Sequence, residues 1–241
     1  MNETLTFTGE RFLPEVEGEI SYEHWHRYAF AQNLCPGKVV LDVACGEGYG
    51  SSLLAEKANK VVGVDISEEA ISHAKKTYRN SNLEFILGSC DKLPFPDNSF
   101  DLAVSYETIE HIETQEEFLA ELVRVLKPEG HLVLSSPNKH LYSDAHDHHN
   151  EFHVKELYRD ELKALLETQL KDSFPHIYWL GQKLLFHSAI WPEEQDFSET
   201  NYLQKNDIGI EQVSNSTLEP MYYLVVCSQN AQDQPALLDR L

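Results

Sequence analysis

The sequence has little positive charge and few cysteines. Its 19 Lys and Arg residues stand against 40 Asp and Glu residues, which gives a formal net charge of −21. A chain with this charge is repelled by phosphate backbones, so we expect neither DNA nor RNA as a partner. The four cysteines include no C-x-x-C pair, which argues against a disulfide framework and a zinc knuckle. Cysteine usage therefore favours a reducing cytoplasm.

Long apolar runs are also missing. No stretch of about 18 consecutive apolar residues occurs, and residues 1–11 hold no apolar run of signal-peptide length. We therefore expect no membrane span and no export signal. With 41% hydrophobic and 24% charged residues in 241, the chain has enough apolar surface for an ordinary buried core. The prediction is one domain over residues 1–241.

Short apolar strands alternate with helices through the first half of the chain. Residues 39–44 form a β-branched run, a glycine-rich turn follows over 45–50, and 51–57 is helical in pattern. The same order recurs, with strands predicted over 60–64, 83–87, 100–105 and 131–136, and helices over about 67–79 and 114–126. This spacing predicts a doubly wound α/β fold with a mostly parallel sheet.

Three parts follow from this pattern. Residues 1–37, with a lead-in helix over 22–34, are expected to form a cap that folds over the site, and residues 38–138 form the core. Residues 139–241 hold the remaining features: a histidine-rich loop at 139–153, a helix at about 155–168, strands near 174–181 and 221–228, and an acidic segment at 187–219. The two strands are candidates for a hairpin. The acidic segment is predicted to be a lid, a partner surface or an irregular insertion.

Three glycines lie where the first strand turns into a helix. At Gly46, Gly48 and Gly50 the backbone can approach a ligand closely and point amide groups at it. The pattern indicates a nucleotide-like ligand, with helix–sheet packing as the alternative.

Two aspartates refine that prediction. Asp65 ends the second strand, where a carboxylate can accept both hydroxyl protons of a ribose. Asp42 precedes the glycines, where it would repel a pyrophosphate and attract a cationic amino group. Ser51 also stands where a G-x-G-x-x-G dinucleotide fingerprint needs its third glycine. The pattern therefore disfavours NAD.

Four ordered segments resemble the class I S-adenosylmethionine-dependent methyltransferases. They are VLDVACGEGYG at 40–50, VGVD at 62–65, LPFPDNSFD at 93–101 and RVLKPEG at 124–130. The resemblance covers residues 38–138. It implies a seven-stranded Rossmann-like sheet with an antiparallel C-terminal strand, S-adenosylmethionine as cofactor, and methyl transfer. The chain also has a weaker similarity to bacterial methyltransferases of polysaccharide and glycosyltransfer gene sets. It lies in the segment before the core, at 10–14 and 22–28, and at 150–157 and 174–182.

The resemblance also implies which residues bind the cofactor. The backbone at Ala44 and Gly46 would hold the methionine part, with Asp42 orienting its surroundings, and Asp65 would bind the ribose. Arg27 either pairs with the cofactor carboxylate or lies on the surface of a packed helix. The complete expected set is Arg27, Asp42, Ala44, Gly46, Gly48, Asp65, Ile66, Ser89, Cys90, Asp91 and Tyr106.

The adenine end is less well defined. Ile66 would pack on the adenine, and the loop Ser89-Cys90-Asp91 would face its edge. The family often has an acidic residue where Ser89 stands here. Ser89 and Asp91 are therefore both candidates for the partner of the adenine amino group.

The segment 105–112 follows the fourth strand and should border the transferred methyl group. A sulfonium methyl is electrophilic, so the protein has mainly to align the acceptor and remove a proton from a hydroxyl. His111, with an ordinary pKa of about 6.5, suits the role of base. The equal alternative is a structural histidine bonded to a backbone carbonyl. Tyr106 is the second predicted catalytic residue, and its backbone would serve the methionine end.

Acceptor contacts are expected from the cap and from the histidine-rich loop. The candidates are Tyr22, His26, His146, His149, Asn150 and His153. Because the loop matches no metal-ligand spacing, we expect no metal; a metal that pins a diol and a solvated loop are the alternatives.

The predicted function is methyl transfer from S-adenosylmethionine to oxygen, or as second choice nitrogen, of a small polar acceptor such as a sugar or nucleotide-linked sugar. The alternatives are an NAD-dependent oxidoreductase and an inactive cofactor-binding partner protein. The expected partners are the small-molecule acceptor and a second copy of the chain.

Overall fold

The structure is a computed structural model that describes residues 19–184, 202–206, 209–213 and 219–231. The helices are α1 Glu19–Gln32, α2 Tyr49–Ala55, α3 Glu68–Thr77, α4 Gln115–Val125, α5 Lys139–Tyr142 and α6 Arg159–Leu170. The strands are β1 Val39–Val43, β2 Lys60–Asp65, β3 Leu83–Leu87, β4 Phe100–Ser105, β5 Leu126–Pro137, β6 His176–Gln182, β7 Tyr202–Asn206, β8 Gly209–Val213 and β9 Tyr222–Ser228. The front of the predicted cap, residues 1–18, and most of the acidic segment lie outside the described residues.

Seven strands form one sheet in the order β3-β2-β1-β4-β5-β9-β6. The first five strands pair in parallel, and β9 runs antiparallel to both β5 and β6. Strands β7 and β8 form a separate antiparallel pair within the acidic segment. The predicted fold is confirmed, and the two C-terminal strands expected to pair do so, although β7 and β8 lie between them in the chain.

Helices cover both faces of the sheet because its central strands are apolar on both sides. On β1, Leu41 packs in the core formed with α4 and α6, whereas Val40 packs in the core formed with α1 and α2. This alternation is the physical basis of the doubly wound arrangement. It leaves the carboxyl ends of β1, β2 and β4 at one edge of the sheet, free to build a site.

Local signals place the helix starts well. Ser67 caps α3 as predicted: its Oγ accepts the N–H of Ala70 at 3.2 Å, and two glutamates occupy the first turn. Helix α6 begins at Arg159 rather than near residue 155. The reason is tertiary, because the N–H of Lys155 donates to the carbonyl of Glu110 at 2.9 Å and ties that segment to the turn after β4.

Strand β5 is longer than predicted. It pairs with β4 already at Leu126, and the register shifts between Phe100 and Leu102 so that residues 127–130 form an irregular excursion. Pro128 and Gly130, which precede the strand predicted over 131–136, lie inside this excursion. In the parts of the chain that the structure describes, no helix has the length and apolar character needed to cross a bilayer.

Candidate active site

A cavity of about 430 Å³ opens at the carboxyl edge of the sheet, beneath α1. Residues from the ends of β1, β2 and β4 and from the loops after β3 and β4 line it. Nine of the residues predicted from the sequence are among them: Ala44, Gly46, Asp65, Ile66, Ser89, Cys90, Asp91, Tyr106 and His111. The site therefore lies where ligands of open α/β sheets bind.

The glycine turn and Asp65 are joined by hydrogen bonds. The N–H of Gly46, which has a φ of +57°, donates to Asp65 Oδ2 at 2.8 Å, and the N–H of Ser67 donates to Oδ1 at 2.8 Å. Two backbone amides thus set the orientation of the carboxylate. Each oxygen keeps a further lone pair for a ligand hydroxyl.

Asp42 lies beneath the cavity and does not line it. Its fully buried carboxylate accepts hydrogen bonds from Ser51 Oγ at 2.6 Å and from the Tyr28 hydroxyl at 3.2 Å. Burial raises the pKa of Asp42 to about 7. The direct attraction of a ligand ammonium group expected from the sequence is therefore not what the structure shows. Asp42 orients Tyr28, which does line the cavity.

Gly48 has a structural role in the turn before α2. It lies outside the cavity lining, precedes α2 with a φ of +97°, and a Cβ atom there would stand 2.6 Å from the Phe85 ring. Gly48 shapes the turn that carries Gly46 and does not itself line the cavity.

At the end predicted to face adenine, Asp91 is the stronger hydrogen-bond acceptor. Ser89 Oγ donates to Asp91 Oδ1 at 2.5 Å, and Thr114 Oγ1 donates to Oδ2 at 3.0 Å. These bonds hold the pKa of Asp91 below its ordinary value. Because Ser89 donates its proton to Asp91, Asp91 is the better placed of the two candidates. Ile66, 75% exposed, offers an apolar surface beside them.

The face of helix α1 that lines the cavity is not the predicted one. His24 and Tyr28 line the cavity, whereas Tyr22 is 65% exposed and His26 is exposed. The structure does not bring Tyr22 or His26 to the site. His24 was missed, although its helical spacing of four from the buried Tyr28 was a usable signal. Burial lowers the pKa of His24 to about 2, so its ring is neutral.

Arg27 does not line the cavity either. It is 2% exposed between α1 and the C-terminal strands. Its Nη1 donates to Gln182 Oε1 at 2.8 Å, and its guanidinium lies over the Tyr222 ring at 4.8 Å. The same Nη1 is 3.8 Å from Glu107 Oε1. Arg27 was predicted either to pair with the cofactor carboxylate or to lie on the helix surface, and its buried position outside the cavity lining fits neither prediction. Its positive charge instead stabilises Glu107, which lines the cavity.

Tyr106 has its hydroxyl occupied. The hydroxyl donates to the backbone carbonyl of Arg27 at 2.9 Å, and the ring packs edge-on against Tyr28 at 5.1 Å. Burial raises the pKa of Tyr106 well above its ordinary value. These contacts do not favour the predicted catalytic role for the side chain. They make the Tyr106 ring a wall of the cavity.

His111 combines the two alternatives that the sequence left open. Its Nδ1 lies 2.9 Å from the Phe152 carbonyl oxygen and donates to it, which assigns the proton of the neutral ring to Nδ1. The lone pair is then on Nε2, 3.9 Å from Glu110 Oε1. One nitrogen anchors the ring, and the other keeps its lone pair.

The histidine-rich loop divides in two. His146 and His149 are exposed and do not line the cavity. Asn150 and His153 fold back instead, with the His153 ring edge-on to His111 at 4.8 Å and Asn150 Nδ2 donating to His153 Nε2 at 3.0 Å. Only the second half of the loop approaches the predicted acceptor end.

Sequence and structure comparisons agree with this geometry. Residues 41–134 match the family described as "methyltransferase domain". A relative from Mycolicibacterium smegmatis, named as a probable S-adenosylmethionine-dependent methyltransferase, is 37% identical over 167 residues, covering 68% of this chain and 64% of the relative. A phthiotriol/phenolphthiotriol dimycocerosates methyltransferase from Mycobacterium leprae is 38% identical over 111 residues, covering 45% of this chain and 41% of the relative.

A solved structure, the PH0226 protein from Pyrococcus horikoshii, shares the fold. It has a TM-score of 0.59 and 23% identity, and the match covers 93% of this chain and all of that one. The two curated relatives are matched over less than two thirds of their own lengths. Together with the turn that Gly46 and Asp65 build, the matches show that the chain carries a class I S-adenosylmethionine-dependent methyltransferase domain, whose cofactor is S-adenosylmethionine.

Proposed function

We propose that the protein transfers the methyl group of S-adenosylmethionine to a hydroxyl oxygen of a small polar acceptor such as a sugar or a nucleotide-linked sugar. Nitrogen is the second choice of acceptor atom. In the reaction an oxygen lone pair forms the bond to the methyl carbon, the carbon–sulfur bond breaks, and its electrons stay on sulfur to leave S-adenosylhomocysteine. The hydroxyl proton must leave as well.

The charge of the cavity is the observation that carries this proposal. Five carboxylates line it, and no lysine or arginine of the described chain does; the five are Glu47, Asp65, Asp91, Glu107 and Glu113. A negative wall favours a cationic sulfonium and an ammonium group and repels a pyrophosphate. This supports S-adenosylmethionine over NAD. It also means that a nucleotide-linked sugar would keep its diphosphate outside the cavity.

The polar end of the cavity suits an acceptor with hydroxyl groups. Glu107, Thr108 and His111 lie together there after β4. Glu107 has a φ of +49°, and its Oε1 accepts the Ser135 hydroxyl at 2.5 Å. Backbone strain of this kind persists only where surrounding contacts support it, and it is often found at functional sites. A held carboxylate and an imidazole are suitable partners for sugar hydroxyls.

His111 is the residue to which we assign removal of the acceptor proton. An imidazole can take the proton directly, or it can hold a cation that makes a coordinated hydroxyl more acidic. Both routes use the Nε2 lone pair that the bond from Nδ1 to Phe152 leaves available. Loss of His111 should therefore reduce turnover by either route.

The test is methyl transfer from labelled S-adenosylmethionine to a panel of sugars, nucleotide sugars, phenols and amines. A triol lipid belongs in the panel, because one relative is named for phthiotriol. Labelled sugar product with the wild type and its loss in His111→Ala would support the proposal. Binding of S-adenosylhomocysteine without transfer to any acceptor would favour the inactive partner protein, and transfer to amines alone would move the acceptor atom to nitrogen.

The compartment and the assembly are part of the proposal. All four cysteines carry free thiols, which supports a reducing cytoplasm. The homodimer is proposed from the sequence analysis alone. Light scattering of the purified chain would decide it.

A further inference from the structure

Three side chains of types that bind metal ions meet beside the end of the cavity that His111 lines. One ligand atom each from Glu110, His111 and His153 lies within 4.8 Å of the others. The first two residues belong to the turn after β4, and His153 comes from the loop after α5, about forty positions later. The bond from the N–H of Lys155 to the Glu110 carbonyl, 2.9 Å long, ties the two segments together.

Glu110 is the unexplained member of this cluster. Its side chain is 1% exposed, and neither carboxylate oxygen has a hydrogen-bond partner among the described residues. A buried carboxyl group without partners is costly, so native structures rarely keep one. The Nε2 atom of His111 is 3.9 Å from Oε1, which is too far for a hydrogen bond. A positively charged ligand between these side chains would supply the partner that the Glu110 carboxyl group lacks among the described residues.

Both histidines are held by their outer nitrogens. His111 donates from Nδ1 to the Phe152 carbonyl, and His153 Nδ1 lies 2.5 Å from Glu156 Oε1. Glu156 is itself held by the Ser143 hydroxyl at 2.5 Å from Oε2. Metal-binding histidines characteristically donate one ring N–H to a carbonyl or carboxylate and leave the other nitrogen for the ion. His111 and His153 both follow this pattern.

We propose that Glu110, His111 and His153 bind a divalent transition-metal ion such as zinc, through a carboxylate oxygen and the two Nε2 atoms. Two imidazoles and one carboxylate suit these ions better than calcium or magnesium, which prefer oxygen ligands. The Asn150 amide that donates to His153 Nε2 would turn away when the ion binds. No single segment holds all three ligands, which is why the histidine-rich loop alone predicted no metal.

The ion would stand next to the place where the acceptor binds, because His111 lines the cavity. Three protein ligands leave coordination positions open for an acceptor oxygen. A hydroxyl bound to such an ion loses its proton more readily. This selects the second of the two routes through His111 and favours acceptors with adjacent hydroxyl groups. The ion site itself rests on the three side chains and not on the proposed acceptor.

The experiment is a titration of the full-length, EDTA-treated protein with Co²⁺, followed by visible absorption, and with Zn²⁺, followed by calorimetry. The wild type should bind one equivalent in the specific site. Glu110→Gln, His111→Ala and His153→Ala should each weaken that binding by more than about 100-fold, because loss of an outer partner alone costs about 10- to 100-fold. Glu156→Gln should fall within that smaller range.

The matched controls are His146→Ala and His149→Ala, which remove exposed histidines of the same loop. They should leave the binding unchanged. Equal losses in the controls and in the ligand variants, or no one-equivalent binding by the wild type, would overturn the site. Should Glu110→Gln melt at a lower temperature, His153→Ala and Glu156→Gln decide the question. Methyl transfer that persists in the EDTA-treated protein would overturn the role of the ion in the reaction and leave the proposed function intact.

Discussion

Each carboxylate oxygen of Asp65 accepts one backbone N–H, from Gly46 on one side and from Ser67 on the other. The residue therefore joins the glycine turn to the start of α3 while its outer lone pairs face the cavity. A substitution here affects the ligand and the turn together. For this reason an isosteric change is more informative than truncation to alanine.

We expect Asp65→Asn to weaken S-adenosylhomocysteine binding by about 10- to 100-fold, since a hydrogen bond to a charged group contributes about 1.5–3 kcal/mol. Calorimetry measures the change. Glu68→Gln, an exposed acid in the first turn of α3, is the control and should bind like the wild type. Unchanged affinity in Asp65→Asn would contradict the prediction that Asp65 binds the ribose.

His111→Ala should lower turnover by about 100-fold or more, the usual contribution of proton transfer by a positioned side chain. The dissociation constant of S-adenosylhomocysteine should stay within about twofold, because the ring lies at the end of the cavity that we propose for the acceptor. Single-turnover assays and calorimetry separate the two effects. His149→Ala is the matched control; a parallel loss of melting temperature and turnover in His111→Ala would indicate a structural role instead.

Helix α2 depends on the turn in front of it more than on its own sequence. The helix is seven residues long, its N-cap is Gly48 in the left-handed region, and no side chain caps it. The turn is held in place from outside by Phe85, which leaves no room for a Cβ atom at Gly48. Short elements of this kind are stabilised by packing rather than by propensity.

Gly48→Ala should therefore lower the free energy of unfolding by about 2–5 kcal/mol, of which about 1–2 kcal/mol is the left-handed backbone and the rest the contact with Phe85. Gly37→Ala is a matched control, because Gly37 also has a positive φ of +79° but a Cβ atom there meets nothing within 4 Å. Urea denaturation measures both. Equal losses would show that the contact with Phe85 is unimportant.

At the scale of the whole molecule, the stability should depend on pH through Asp42. Its pKa is about 7 in the folded chain against an ordinary value of 3.8, because burial disfavours the charged form. Between about pH 4 and pH 7 the folded state then binds more protons than the unfolded state. The contribution of Asp42 to the free energy of unfolding falls as pH rises through this window and is constant above it.

Asp42→Asn removes this titration. The variant should therefore gain stability relative to the wild type as pH rises from about 4 to 7, measured by urea denaturation without cofactor. Asp101→Asn, at a carboxyl group whose pKa is lowered rather than raised, should show the opposite trend at the acidic end. A difference between Asp42→Asn and the wild type that does not change with pH would contradict the raised pKa of Asp42.

Much of the fold followed from local patterns. The β-branched runs, Ser67 as a cap and the apolar strand Phe100–Ser105 were each placed within a few residues of their observed positions. Candidate residues next to the motifs, such as Gly46 and Asp65, also reach the cavity. Predictions for helix α1 were wrong, because the local pattern did not show which side of the helix faces the site. Tyr22 and His26 point away from the site, and His24 points into it.

The amino-acid order by itself determined the strand–helix alternation and the glycine turn with its acidic neighbour, because these depend on short-range spacing and on chirality. The cofactor followed from the resemblance of four ordered motifs to a known family. Tertiary structure alone decided that Asp42 and Arg27 are buried and do not line the cavity, and that His153 stands beside Glu110 and His111. The physical reason is chain separation. Residues some forty positions apart meet only when packing and backbone hydrogen bonds bring their segments together, and no local pattern encodes that approach.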